Sequence, residues 1–231
     1  EAAMIMPAGT LPNDSVPERD ASEVAELMDE PADGSRRKLV YVFPIREDIM
    51  PSAQRLTSRC LAEATEMGAD YVVIDMNTYG GLLNAADSIR TAILNYDKPV
   101  YVFINNQAAS AGALIAIAAD SIYMRDGASM GAATVADQDG DVVPDKYQSF
   151  MRGMMRSTAE SHGKVVEAIH GRDTVWRWHR DPRIAESMVD PSIVVDGLIG
   201  PDKVLTFSTE EAIEWYYCEG RAQSVEEVLA K

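Results

Sequence analysis

Cysteine is scarce in this chain of 231 residues: there are two, Cys60 and Cys218. Two thiols so far apart support neither a disulfide framework nor a metal cluster. Cys60 lies in a helical pattern and reads as a small buried hydrophobe. Histidine is scarce too. His162, His170 and His179 show no metal-ligand spacing with carboxylates or thiols, so no metal and no cofactor is expected. Positive charge is in deficit, with 21 basic against 37 acidic side chains and a net charge of −16. Such a surface repels phosphate backbones and offers no basic patch to anionic lipid, which argues against a nucleic-acid partner. No apolar run approaches the roughly 18 residues of a membrane span. The longest, Ala108 to Ala119, is broken by Ser110 and Gly112, and Glu1 to Met6 do not form a signal peptide.

What is present suits one α/β domain with an appendage, or two small domains. Residues 1–37 carry Pro7, Pro12, Pro17 and Pro31 among many acids and read as an extended or partly disordered N-terminal arm. A short helix around Ser22–Met28, capped by Ser22, fits within it. Residues 38–231 form the domain proper. Strands are expected at Leu39–Ile45, Tyr71–Met76, Pro99–Ile104 and Ser121–Met124, and helices at Pro51–Met67, Leu82–Asn95 and Ala109–Ala119. The alternation implies a mainly parallel sheet with covering helices, and strands that are apolar throughout fit a sheet buried on both faces. Further on, a long helix is expected from Pro144 to about Ser161, more helix at Lys164–His170 and Pro182–Val189, strands at Ile193–Ile199 and Val204–Phe207, and helices at Thr209–Tyr217 and Val225–Ala230. Thr134 to Val143 reads as an exposed, mobile loop. Its Asp137, Asp139, Gly140 and Asp141 lack the twelve-residue pattern of a calcium loop.

Two short patterns carry chemistry. Asn77-Thr78-Tyr79-Gly80-Gly81 ends the second strand, where parallel sheets bind ligands, and a glycine pair lets backbone approach a substrate closely. The bland alternative is a tight strand-to-helix turn. Ser110 stands among small residues in Ala108-Ala109-Ser110-Ala111-Gly112, after the third strand and at the start of a helix. Helix N-termini present unpaired N–H groups and partial positive charge, which favour a developing oxyanion. The alternative is an N-cap serine or a close-packed helix start. Both patterns end adjacent strands, so the N–H of Ala111 and one from Gly80-Gly81 can hold a single carbonyl oxygen.

A serine nucleophile needs a base. No histidine lies between Ser110 and His162. Lys146, in Pro144-Asp145-Lys146-Tyr147, follows the loop and opens the long helix. A lysine serves as general base where burial lowers its pKa from about 10.4 toward neutrality. Most lysines are solvated surface charges, and position alone does not single this one out.

The run from Lys38 to Lys231 resembles the protease domain of NfeD-type membrane-associated serine proteases, a branch of the Clp peptidase/crotonase superfamily. The matching pieces are Thr78-Tyr79-Gly80-Gly81, Ala109-Ser110-Ala111-Gly112, Gly127 to Ala132, Pro144-Asp145-Lys146, Arg180 to Glu186 and Leu205 to Ala212. The resemblance implies a crotonase-like fold of ββα units and a Ser–Lys dyad carried onto Ser110 and Lys146. It implies an oxyanion hole carried onto Gly80, Gly81 and Ala111. It also implies a homo-oligomer that cleaves hydrophobic stretches of membrane-associated proteins such as stomatin-like partners. Full-length relatives often add transmembrane helices and a small β-barrel, so this chain is expected to be the soluble domain of a membrane-associated protein, facing away from the cytosol. Tyr79 stands where the family has proline, and no histidine follows Ser110 by about 25 residues as in the typical Clp peptidase. Two other readings share these residues: an inactive scaffold that kept the fold, and a crotonase-type acyl-CoA enzyme, which would need a carboxylate over the thioester.

Overall fold

The computed structural model describes residues 4–7, 38–137, 139–170 and 173–231, with only the backbone of 4–7 and of His170. The expected Ser22–Met28 helix and most of the N-terminal arm lie outside the described residues. The central element is an eight-stranded sheet. β1 (Met4–Pro7), β2 (Leu39–Ile45), β3 (Tyr71–Thr78), β4 (Val100–Ala109) and β5 (Ser121–Met124) lie side by side in that order, all parallel, with β10 (Gly220–Arg221) parallel at the far edge. β6 (Ser129–Gly131) runs parallel to the end of β4, and β9 (Thr206–Ser208) pairs antiparallel with β6. The expectation of a mixed α/β fold with a mainly parallel sheet holds.

The covering helices follow from their apolar stripes. α1 (Pro51–Glu66) starts with proline at its first turn, where the missing N–H costs nothing. It buries Ala53, Thr57, Cys60, Leu61 and Ala64, one face at helical spacing, and Gly68 follows at φ +69°. α2 (Leu83–Leu94) buries Ala85, Ala86, Ile89 and Ile93. α3 (Ala111–Ala118) is buried on all sides, as its uniformly apolar sequence requires. α4 (Asp145–Ser161) buries Met151, Met154, Met155 and Ala159 and packs on α3 and on α5 (Pro182–Ser187).

Four stretches differ from the sequence expectation. β4 runs five residues beyond Ile104 to Ala109. The polar Asn105, Asn106 and Gln107 mask it in a pattern search, but Gln107 to Ala109 pair with β6. The helix after it therefore begins at Ala111 rather than Ala109. Lys164–His170 is not helix but β7, paired antiparallel with β8 (Asp173–Trp178) in a separate two-stranded hairpin. Val165, Val166 and Ile169 favour a strand, and none of Lys164 to Ile169 is buried to reward a helical stripe. Ile193–Ile199 is a turn closed by a Val195–Ile199 bridge around Gly197 at φ +83°. Asp196-Gly197 is a turn dipeptide that outweighs the flanking valines. The chain ends in α6 (Thr209–Glu214), with a capping box of Ser208 and Glu211, and α7 (Val225–Leu229).

Candidate active site

β4 delivers Ser110 and α3 carries away from it. The serine has φ +54° and ψ −118°, a backbone region that a non-glycine residue enters only under constraint. Its N–H donates to Gly131 O at 2.8 Å, which ties the bend to β6. The hydroxyl makes no hydrogen bond among the described residues and does not cap α3, so it is not spent on local structure.

The Gly80-Gly81 turn lies against this serine. A Cβ on Gly80, where φ is +113°, would stand 2.7 Å from Ser110 Cβ and 3.2 Å from its Oγ. One on Gly81 would strike the Ile49 backbone at 2.4 Å. The turn is clamped by Ile49 N–H donating to Gly80 O and Leu82 N–H donating to Ile49 O, both at 2.8 Å. Thr78 shapes it from within. Its Oγ1 accepts the Gly80 N–H at 3.1 Å and donates to Glu47 O at 2.8 Å. That leaves the N–H groups of Gly81 and Ala111 without an acceptor among the described residues. Gly112 completes the close fit, since a Cβ there would come within 2.6 Å of Thr78 Cγ2.

Lys146 occupies the first turn of α4. It is exposed, and its amine lies over the Tyr147 ring at 4.7 Å from the centroid. No hydrogen bond joins it to Ser110. A cleft of roughly 580 Å³ opens between the first turn of α2, two residues past Gly81, and the first turn of α4. Leu83, Asn84, Asp87, Val135, Val143, Tyr147 and Phe150 line it. Tyr79, Leu82, Val142 and Phe150 expose large apolar surfaces nearby in sequence to these turns. An apolar cleft flanked by exposed apolar side chains suits an extended apolar chain better than a charged ligand.

The other nucleophiles and bases are placed elsewhere. Burial pushes the Cys60 thiol up and the Cys218 thiol up to about 12, so neither supplies a thiolate. The two histidines whose side chains are described sit at the opposite end of α3: His162 Nε2 donates to Ile117 O at 2.7 Å, and His179 faces Glu219 at 3.2 Å. Asp137 Oδ1 accepts the N–H groups of Asp139 and Asp141, each at 3.0 Å, an arrangement that closes the acidic loop on itself. Thr78, Gly131 and Gln148 were not singled out by sequence. Thr78 sits inside the quoted glycine motif, whereas the roles of Gly131 O and Gln148 depend on backbone pairing that no local pattern signals.

The family model for the N-terminal domain of NfeD1b matches residues 39–231. The chain belongs to that family. It is 32% identical over 198 residues to the membrane protein NfeD1b of Bacillus subtilis, covering 85% of this chain and 42% of that protein. It is 25% identical over 203 residues to the membrane-bound protease PH1510 of Pyrococcus horikoshii, covering 84% of this chain and 40% of the relative. The chain thus spans about two-fifths of the curated relatives it matches. In three dimensions it resembles a membrane-bound stomatin-specific protease, 1510-N, solved as a serine-to-alanine variant. There the TM-score is 0.68 at 24% identity, with 85% of both chains covered. A lysine-to-alanine variant of the same neighbour, in complex with a substrate peptide, gives 0.67. ClpP1 of Listeria monocytogenes gives 0.56 at 16% identity, over 80% of this chain and 92% of that one. The fold of this NfeD1b-family domain is therefore that of the Clp peptidases. The curated relatives are named as membrane proteins, while among the described residues no helix is long and apolar enough to cross a membrane.

Proposed function

We propose that this domain is a serine endopeptidase in which Ser110 is the nucleophile and Lys146 the base, acting on apolar segments of membrane-associated proteins. The observation that carries the reading is the strained Ser110 with an unengaged hydroxyl, packed against Gly80 beside the open N–H groups of Gly81 and Ala111. Structural neighbours in which one serine and one lysine were replaced, the latter holding a substrate peptide, support the same pairing. The stomatin specificity named for that neighbour suggests a stomatin-like substrate here.

The chemistry follows from the donors. Lys146 Nζ, brought inward when a peptide fills the cleft, takes the Ser110 proton as Oγ bonds to the scissile carbonyl carbon. The carbonyl oxygen becomes an oxyanion held by Gly81 N–H and Ala111 N–H at the positive end of α3. Gly80 permits the approach because it carries no Cβ, and its own N–H is engaged by Thr78 rather than by the oxyanion. The C–N bond then breaks, the lysine proton passes to the leaving amine, and water hydrolyses the acyl-enzyme with Lys146 again as base.

The exposure of Lys146 favours a rival, the inactive scaffold. Fluorophosphonate labelling and cleavage of apolar peptides separate the two. Wild type should label at Ser110 and cut. Ser110→Ala and Lys146→Ala should each lose at least about a thousandfold in kcat while unfolding at unchanged urea concentration. Wild-type activity in Lys146→Ala removes the dyad, and absence of labelling in the wild type removes the serine peptidase.

A further inference from the structure

We propose that Gln148 is a positioning residue, a clamp that fixes the helix turn bearing Lys146 to the backbone bearing Ser110. The inference rests on the Ser–Lys reading above. Gln148 is 8% exposed, two residues beyond Lys146 on α4. Its side chain is fully engaged with backbone outside its own helix. Oε1 accepts the Val135 N–H at 3.0 Å, and Nε2 donates to Val135 O at 2.6 Å and to Val143 O at 3.3 Å. Val135 and Val143 are the two stems of the loop that precedes α4, themselves joined by Val143 N–H donating to Val135 O at 3.2 Å. One amide therefore staples both stems to the first turns of the helix.

The backbone continues from the staple to the nucleophile without a loose residue. Ala133 N–H donates to Met188 O, Ala132 N–H to Leu205 O at 2.9 Å, and Gly131 O accepts the Ser110 N–H at 2.8 Å. Only three residues separate Gly131 from Val135. A buried glutamine in a hydrophobic helix face is costly unless its amide is satisfied, and the three bonds meet that cost here. Lysine has four flexible carbons, and its amine reaches a fixed target productively only if its Cα is fixed. The clamp supplies that fixed point while leaving the side chain free to move in from solvent.

The test is a pair of measurements on the whole chain. Amide hydrogen exchange at Val135 in Gln148→Leu should quicken by roughly tenfold or more over wild type, while amides of β3 and β4 stay unchanged; an unchanged Val135 rate overturns the clamp whether or not the chain is a protease. Fluorophosphonate labelling then tests positioning. Gln148→Leu should slow labelling of Ser110 by about ten- to a hundredfold, with KM for a peptide ester within about threefold of wild type. Gln148→Glu keeps the acceptor for the Val135 N–H and, when protonated, one donor for Val135 O, and should recover part of the loss. A loss confined to KM, or wild-type labelling in Gln148→Leu, overturns the inference. A structural defect alone would slow Ser110 labelling in a Lys146→Ala background as much as in wild type, and that equal loss also overturns it. Failure of the Ser–Lys reading shows separately, as wild-type labelling in the single Lys146→Ala variant.

Discussion

The two ends of α3 present opposite solutions to the same physical problem. Every helix leaves unpaired N–H groups at its start and unpaired carbonyls at its finish. At and just past the finish of α3, side chains take the carbonyls of Ile117, Ala119 and Asp120. His162 bonds to Ile117 O, Arg180 Nη1 bonds to Ala119 O at 3.1 Å and its Nη2 reaches Asp120 O at 3.5 Å, while Glu219 pairs with both Arg180 and His179. Arg180 is wholly buried. At the start the bend through Ser110 leaves the hydroxyl and the Ala111 N–H unused. The bonded end anchors the helix, although Arg180 Nε is left without a partner among the described residues, and the bond from Ser110 N–H to Gly131 O holds the open end in its strained conformation. Backbone strain at a site persists only where surrounding structure over-determines it.

Breaking the closed end should have the largest effect on stability. Arg180→Met removes the donor to Ala119 O and Asp120 O and leaves Glu219 with His179 and the Ile122 N–H alone. Stripping one partner from a buried pair costs about 3 kcal/mol, taken at the low end because Glu219 keeps some solvent contact. Urea denaturation should show a lower midpoint at constant slope. If the closed end is the anchor, Ser110 labelling should fall in that variant well before global unfolding. Labelling that survives up to the unfolding midpoint would mean that the two ends are independent.

Pressing on the open end should cost less stability and more activity. Gly112→Ala puts a methyl group 2.6 Å from Thr78 Cγ2, and Thr78 is the residue that holds the Gly80 turn. Overpacking of this kind costs about 2 kcal/mol, and the displaced threonine should loosen the Gly81 N–H. Labelling of Ser110 should drop about tenfold or more, out of proportion to the loss in urea midpoint. A purely proportional loss would make Gly112 a packing residue and nothing else.

The contrast also explains what could be read from the chain in advance. The bend at the open end was legible because its requirements are local: small residues around Ser110 and paired glycines after a strand, whereas Lys146 rested on the family resemblance alone. The sheet was legible because β2, the first half of β3 and most of β5 are apolar, β-branched or aromatic runs. The closed end was not, because it joins the end of α3 and the strand after it to residues 45 to 97 positions later, and a buried arginine looks on paper like a surface one. β7 was misread for a related reason. Lys164–His170 has neither the burial nor the strict alternation that would separate strand from helix, and its pairing with β8 decides the matter. Gln148 gave no signal at all, since a glutamine in a helix is ordinary until its partners are known.

The smallest expected effect, on pH, probes whether the closed end titrates. His162 is held below its ordinary 6.5, first by burial and then by the charge of Arg180, with the bond to Ile117 O acting the other way. His179 and Asp120 also face it, with smaller opposing effects. The unfolded chain therefore binds a proton near pH 6.5 that the folded chain refuses, so stability is complete above that pH and declines as pH falls through it. Glu219 also loses stability in acid, but later. Burial would raise its pKa, yet the His179 hydrogen bond, Arg180 and the Ile122 N–H hold it below 4.5, so its contribution persists until pH falls through that lowered value. Between pH 7 and pH 5 the decline thus belongs to His162. His162→Gln keeps a donor for Ile117 O without the titration, and its urea midpoint should be nearly flat over that range where the wild type falls. An equal fall in both proteins would assign the acid sensitivity elsewhere, and the closed end would then be a fixed anchor at every pH at which the chain folds.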